Sequence, residues 1–426
     1  MAALIAAGVF SILLVLARTP ILQGLIPGLD LFRIALVVHV DLSVLVWFLS
    51  FAALYWTWIS KHDDTHWHRL SFLLALLGTL GIVLAPLAGA SDPLMNNYVP
   101  VLQHIWFYIA LGLFCLGITG TMLRALRQFP TITRSISGQE ALTLGIILAA
   151  ITGIMTIGSF ITSWLSIPPD LSGQIYFDVL FWGPGHVLQF GHTGLMLVSW
   201  LLLLNTSGGV NTVSPRLAVV LLTMVTLPII TVPFFHLAHD IVSPGYRLAF
   251  TELMKNGGLA TVPLGIAILW GLFAAPKPEP DQRHLRTAIH CSILLFAVGG
   301  LLGFAIQGLD ISIPAHYHGS IVGVTLAFMG VAYLLLPRLG YRPPDAKFAR
   351  WQLWIYAIGQ LTHIFGLAWT GGYGVGRKTA GAAQGLSGFG EITGMALMGF
   401  GGLISVTGGF LFLVIMIRSM WLGRIN

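Results

Sequence analysis

The sequence predicts an all-α, polytopic membrane protein with twelve transmembrane helices, and three observations carry that expectation. Of 426 residues, 56% are apolar and only 8% are charged, with a mean hydropathy of +0.87. A soluble core cannot absorb that much apolar surface. The apolar residues also fall into runs of about 20, the length that crosses a hydrocarbon layer as a helix. Helix breakers separate the runs, among them SDP at 91–93, IPPD at 167–170, PKPEP at 276–280 and RPPD at 342–345. No linker, internal repeat or inserted soluble domain is visible, so residues 1–426 are expected to form one transmembrane domain.

Taken in order, the first run, 2–18, has no basic leader or cleavage site and reads as a span rather than a signal peptide. The second, 29–59, holds Arg33 and His39. The third, fourth and fifth follow at 70–90, 98–124 and 140–165. The sixth, 175–204, contains FWGPG-His186-VLQF-G-His192, and the seventh, 215–241, ends in His236, His239 and Asp240. The eighth, 258–275, offers only Thr261 as a polar step, and the ninth covers 287–307. The tenth, 314–336, opens on Pro314-Ala315-His316-Tyr317-His318-Gly319-Ser320. The eleventh, 351–370, carries His363, and the twelfth, 389–417, holds Glu391 near its start.

The net charge of +6 sits in short loops between the runs, so it reads as a topology signal and not as a nucleic-acid surface. With the N-terminus cytoplasmic, only Arg18, Arg33, Arg247, Lys255, Arg377 and Lys378 of the 21 lysines and arginines fall outside. Both termini are therefore expected in the cytoplasm of a bacterial or archaeal cell. Cys115 and Cys291 form no motif, and the absence of CxxCH argues against a covalently attached c-type haem. The stretch from Lys61 to His68 is expected to be a solvated loop.

In this orientation His39, His186, the His236–Asp240 cluster and the His316/His318 pair all lie toward the outer face. Independent structural histidines would not be expected to share a level, and buried imidazole in lipid is costly unless coordinated or hydrogen-bonded. His316 and His318, two apart on a helix, depart about 200° from each other. One helix thus serves two sites. His39 and one of this pair can ligate a haem iron from both sides, while the other can hold a second haem from one side, leaving its distal face open. A further metal held by the sixth and seventh spans could face that open position.

These residues resemble the catalytic subunit of the haem–copper oxidase superfamily, and the likeness runs over essentially the whole chain. The resemblance implies that His39 and His318 ligate a low-spin haem and His316 a high-spin haem. It also makes Gly374-Val375-Gly376-Arg377-Lys378 similar to the family's basic loop, with Arg377 and Lys378 binding haem propionates and Arg33 in reach of one. Oxygen-reducing members commonly place a tyrosine four residues after the sixth-span histidine. Here Phe190 stands there, preceded by Gln189. Aligned on the Ser243-Pro244-Gly245 turn, the metal set becomes His186, His239 and Asp240, with His236 as a fourth ligand or a partner to one. Two histidines and a carboxylate suit non-haem iron better than copper.

The resemblance and its departures together imply a nitric oxide reductase-like subunit with two haems and one non-haem metal, in which Gln189 hydrogen-bonds bound NO. His192, Gln307, His363 and Glu391 are expected to be structural, and Asp240, Glu252 and Asp310 to feed protons from outside. A terminal oxygen reductase is the alternative, which a tyrosine reaching the metal site from another span would revive. A haem electron conduit or gas-binding subunit is the non-catalytic alternative, and a transporter fits least. The implied partners are the lipid bilayer, a gas substrate (NO or O2), and a smaller membrane-anchored subunit with a cytochrome c or cupredoxin domain. No nucleic-acid partner is implied.

Overall fold

The computed structural model describes the chain apart from residues 23, 25–28, 61–64, 128–135, 210–211, 307–309 and 424–426. Gln307 and the first half of the 61–68 loop lie outside the described residues. Each of the twelve predicted runs is helical: α1 (Ala2–Arg18), α2 (Leu29–Ile59), α3 (Thr65–Ala88), α4 (Ile105–Leu126), α5 (Gly138–Ser166) and α6 (Gly173–Thr206). They continue as α7 (Pro215–Ala238), α8 (Pro244–Ala274), α9 (Arg283–Ala305), α10 (Ser312–Arg338), α11 (Ala346–Gly371) and α12 (Phe389–Trp421).

Ten of these, all but α1 and α11, are long and apolar enough to cross a bilayer, where the sequence suggested twelve. The reasons differ. α1 has 17 residues, or about 25 Å of helix against a core of about 30 Å. α11 buries Gln352, Gln360, His363 and Thr370, so its apolar character is diluted by groups that face protein.

Two boundaries moved in ways that matter for the site. Residues 98–104, expected inside the fourth span, instead close a short antiparallel hairpin of β1 (Pro93–Leu94) and β2 (Val101–Leu102), and α4 begins only after His104. The Asn96-Asn97 pair and Pro100 explain this, because Asn favours turns and the residue before Pro avoids helix. α8 starts at Pro244, well before the expected 258, because Ser243 caps it and Pro244 suits a first helical position. Its first turns are too polar to stand out by hydrophobicity.

Contacts divide the chain into two compact units. One comprises residues 1–39, 202–210 and 276–426; the other comprises 40–201 and 211–275. In the first unit α10 is the most enclosed helix, buried without interruption from Val322 to Leu336. It lies against α9 through Gly299, Gly319 and Gly323, where backbone meets backbone. Small residues permit that approach, and dispersion between closely packed helices replaces the hydrophobic drive that lipid cannot supply. A methyl added at Gly299 would meet the Ser320 backbone nitrogen. Gly299→Ala is therefore expected to cost about 1–3 kcal/mol, read as a lower thermal midpoint in detergent. In the second unit Gly78 and Gly117 play the same part between α3 and α4.

Candidate haem and gas-reduction site

His39 is followed, after Val40, by the π-helical turn Asp41–Val46, and such turns often mark functional positions in helices. His39 Nδ1 donates to the carbonyl of Ala7 on α1 at 2.9 Å. His316 Nδ1 donates to Gly299 O on α9 at 2.7 Å, and His363 Nδ1 to Met398 O on α12 at 2.9 Å. A carbonyl only accepts, so each Nδ1 carries the proton and each Nε2 keeps its lone pair. That is the tautomer a metal-ligating histidine needs, and a backbone carbonyl is the usual means of holding it.

His316 and His318 leave α10 toward different helices, as their spacing predicted. His316 turns to α9, whereas the His318 ring lies 4.7 Å from the His363 ring of α11. His39 is within electrostatic reach of both His318 and His363, so three imidazoles from α2, α10 and α11 gather in one place. The buried Gln360 side chain hydrogen-bonds His318, which has no carbonyl partner among the described residues. Sequence reasoning assigned His363 a structural role, and its position beside His318 is the first thing it missed.

Arg18, at the end of α1, is the second. Its guanidinium stands within electrostatic reach of Tyr317, His318 and His363, yet Nε and Nη2 are enclosed and have no hydrogen-bond partner among the described residues. An unpaired enclosed cation calls for an anion. Arg377 also reaches Tyr317, and the 374–378 loop is pinned to the start of α10 by the Asp310–Gly376 bridge and the Ile311 N–Val375 O bond of 3.2 Å. Lys378 holds a left-handed backbone, φ 62°, in the same loop, a conformation that non-glycine residues avoid unless the surroundings impose it. Arg33, by contrast, is exposed. Imidazoles with free Nε2 atoms beside an unpaired cation fit haem with its anionic propionates.

The second unit holds the other predicted residues. His186 is buried on α6, its Nδ1 donating to Trp182 O at 2.6 Å. His236 Nε2 bonds Ser159 Oγ at 2.9 Å. Both rings pack on Phe250, at 6.1 and 5.7 Å between centroids, within one apolar cluster that includes Phe190 and Tyr246. His239 and Asp240 are placed differently from the expectation. Asp240 is exposed, and its carboxylate accepts from Val242 N at 3.0 Å, a turn closed ahead of Ser243. His239 ends α7 in extended backbone, its ring beside Gly245. Among the described residues no three of His, Cys, Asp and Glu gather as a metal site. The expected set of His186, His239 and Asp240 is not assembled; His186 and His236 are the two imidazoles that share a cluster. The preference for iron rested on Asp240 and loses that ground.

A third missed residue is Tyr98. The hairpin tip lays its ring 5.0 Å from His186, with the hydroxyl 3.0 Å from both ring nitrogens, and Gln189 hydrogen-bonds the same phenol. Burial pushes the Tyr98 phenol upward from its ordinary range while the Gln189 bond pulls the other way. The net shift is upward, so the hydroxyl is protonated and able to donate at neutral pH. The GPG before His186 makes room for this. A methyl on Gly185 would run into the Tyr98 ring, and one on Gly183 into the Tyr246 hydroxyl and Ser159.

Comparison with known proteins accords with these features. The family model for cytochrome c and quinol oxidase polypeptide I matches residues 1–419. An uncharacterised protein of Rickettsia prowazekii is 28% identical, over 97% of this chain and 93% of its own length. An uncharacterised protein of Aquifex aeolicus is 29% identical over 80% of this chain and 84% of its own. Cytochrome c oxidase subunit 1 of Thermus thermophilus is 22% identical over 84% of this chain and 71% of its own. With its haem-ready histidines, apolar spans and nearly full-length match, this chain belongs to the cytochrome c and quinol oxidase polypeptide I family, the haem–copper oxidase subunit I family.

Proposed function

We propose that the chain is the catalytic subunit of a respiratory reductase that couples two molecules of NO into N2O and water, taking up two electrons and two protons. The observation that carries this reading is Phe190. It occupies the position where a tyrosine one turn beyond His186 would stand, and it is 5% exposed, packed in the cluster with Val187 and Phe250. A phenyl ring can supply neither the electron nor the proton that O–O cleavage draws on, and NO coupling needs neither from it. His39 and His318 would hold one haem and His316 a second; when bound, the two supply one-electron storage and an open position for a small ligand.

The chain's own residues do the rest. The carbonyls of Ala7 and Gly299 hold His39 and His316 in the coordinating tautomer. Arg18 and Arg377 balance propionate charge. The 374–378 loop, held against the start of α10, closes the outer end of the haem region. The distribution of basic residues supports an outward-facing site with cytoplasmic termini in a bacterial or archaeal cytoplasmic membrane. Electrons would then arrive from a smaller anchored subunit with a cytochrome c or cupredoxin domain.

One observation favours the second reading, an oxygen reductase: Tyr98 brings a phenol to His186 from outside α6. NO and O2 consumption measured on one preparation, with N2O detection and iron and copper analysis, separates the two. N2O formation with slow O2 uptake is expected. Fast O2 reduction without N2O, with one copper per two haems, would replace this reading with the oxidase one.

A further inference from the structure

The ends of α11 and α12 that lie away from the histidines gather cations that the haem region does not use. Gly366 lies against Met398, Gly359 against Ser405 and Gly408 against Tyr356, so the two helices run antiparallel in a fixed register. Ten residues beyond the last of these pairs, that register sets Arg418 of α12 level with Ala346, the first residue of α11. Lys347 follows Ala346, and Arg350 stands one turn further in. Lys347 and Arg418 are exposed. Arg350 is half-buried, and its Nε is enclosed without a hydrogen-bond partner among the described residues. Asp345 is the one acid in residues 338–350 and 410–423. Its carboxylate already caps α11, accepting from Lys347 N at 2.9 Å and Phe348 N at 3.0 Å.

Depth places these cations at a bilayer boundary. Ala346 precedes His363 by seventeen residues, about 25 Å of helix. A hydrocarbon layer is about 30 Å thick, so with the histidines near one face these cations meet the headgroups of the other leaflet. Both helices also present apolar faces that run inward from the cations. On α12, Phe410, Val414, Ile417 and Trp421 are exposed at helical spacing. On α11, Phe348, Trp351 and Ile358 are exposed in the same way. A tryptophan beside a cation is the usual furnishing of the headgroup level. A soluble anion has no use for the apolar faces, whereas acyl chains do. A zwitterionic headgroup would bring one more cation to a place where three already stand.

We propose that these ends of α11 and α12 bind an anionic diacyl phospholipid. Lys347, Arg350 and Arg418 hold its headgroup phosphate, and its chains lie along the exposed faces of the two helices. The enclosed Arg350 Nε then has the acceptor that a desolvated cation requires. One phosphate ties together the helices that carry His363 and the Met398 carbonyl to which it donates. The site is the same whichever gas is reduced.

The test uses the full chain with its haems, mixed in detergent with equal amounts of phosphatidylglycerol and phosphatidylcholine of distinguishable mass. Native mass spectrometry counts the lipids that stay bound. The wild type is expected to retain phosphatidylglycerol in preference to phosphatidylcholine. Lys347→Gln, Arg350→Gln and Arg418→Gln should each weaken that binding by about 5-fold, the contribution of one basic residue near an anionic lipid. Arg69→Gln with Arg216→Gln, which removes exposed cations from the starts of α3 and α7, should leave it unchanged. An unchanged haem spectrum certifies folding in each variant. If the Arg69 and Arg216 substitutions weaken binding as much, the preference belongs to surface charge in general and the proposal fails. It fails as well if the wild type retains both lipids equally. Inorganic phosphate in millimolar excess should not displace the phosphatidylglycerol; if it does, the site takes a soluble anion and not a lipid.

Discussion

Replacing His39 or His318 by alanine is expected to abolish the six-coordinate low-spin haem spectrum, whereas His363→Ala is expected to keep it. The distance between rings decides this. An iron held between two imidazoles would need room between the two rings. His318 and His363 stand at 4.7 Å, too close for an iron between them. His39 on α2 and His318 would then hold the iron, with His363 beside His318. His363, held by Met398 O, would act beside the ligand and not as one. Its loss should shift the reduction potential of the low-spin haem. Optical and paramagnetic resonance spectra of the three variants check this. A low-spin signal that persists in both His39→Ala and His318→Ala, or vanishes in His363→Ala, would show the pairing to be wrong.

Arg18→Leu is expected to act in opposite directions on the haem-free and haem-loaded protein. Without haem the guanidinium is enclosed with two nitrogens that have no partner among the described residues, and a leucine, shorter but apolar, relieves that cost. With haem bound, the same substitution leaves a propionate facing apolar surface. Breaking an enclosed ion pair from one side typically costs about 3–5 kcal/mol. The thermal midpoint of the apoprotein should rise while haem retention falls by two or more decades. The potential of the remaining haem should drop, because a cation beside it no longer disfavours the ferric state. Haem titration into the apoprotein, followed by redox titration, measures both. A variant that binds haem as the wild type does would remove Arg18 from the cofactor site and leave Arg377 as its cation.

The contrast between Arg18 and Arg33 shows how far sequence reasoning reached. Both lie on the expected outer side, and the sequence points to Arg33 because it is almost two turns from His39 on the same helix. Spacing along one helix is visible in a sequence. That the end of α1 comes to lie beside α10 and α11 is not, because α1 and α10 lie far apart in sequence, with eight helices between them. The same limit explains His363. On its own helix it is a lone imidazole among apolar residues, and only its neighbour on α10 makes it more than that.

What the sequence determined by itself is whatever follows from composition and local period: the helical membrane fold, the run boundaries to within a few residues except at the starts of α4 and α8, and the divergence of His316 and His318, which 100° per residue imposes on any helix. Phe190 at the tyrosine position is equally a matter of reading one residue. The tertiary structure alone decided where Tyr98 stands, since two asparagines and a proline turned a stretch of apparent span into a hairpin that folds back on α6. It also decided that Asp240 closes a turn and does not join His186. A carboxylate at a helix end can accept a backbone N–H within two residues or reach a partner on another helix. Sequence spacing is the same in both cases, and only the packing around the site selects one.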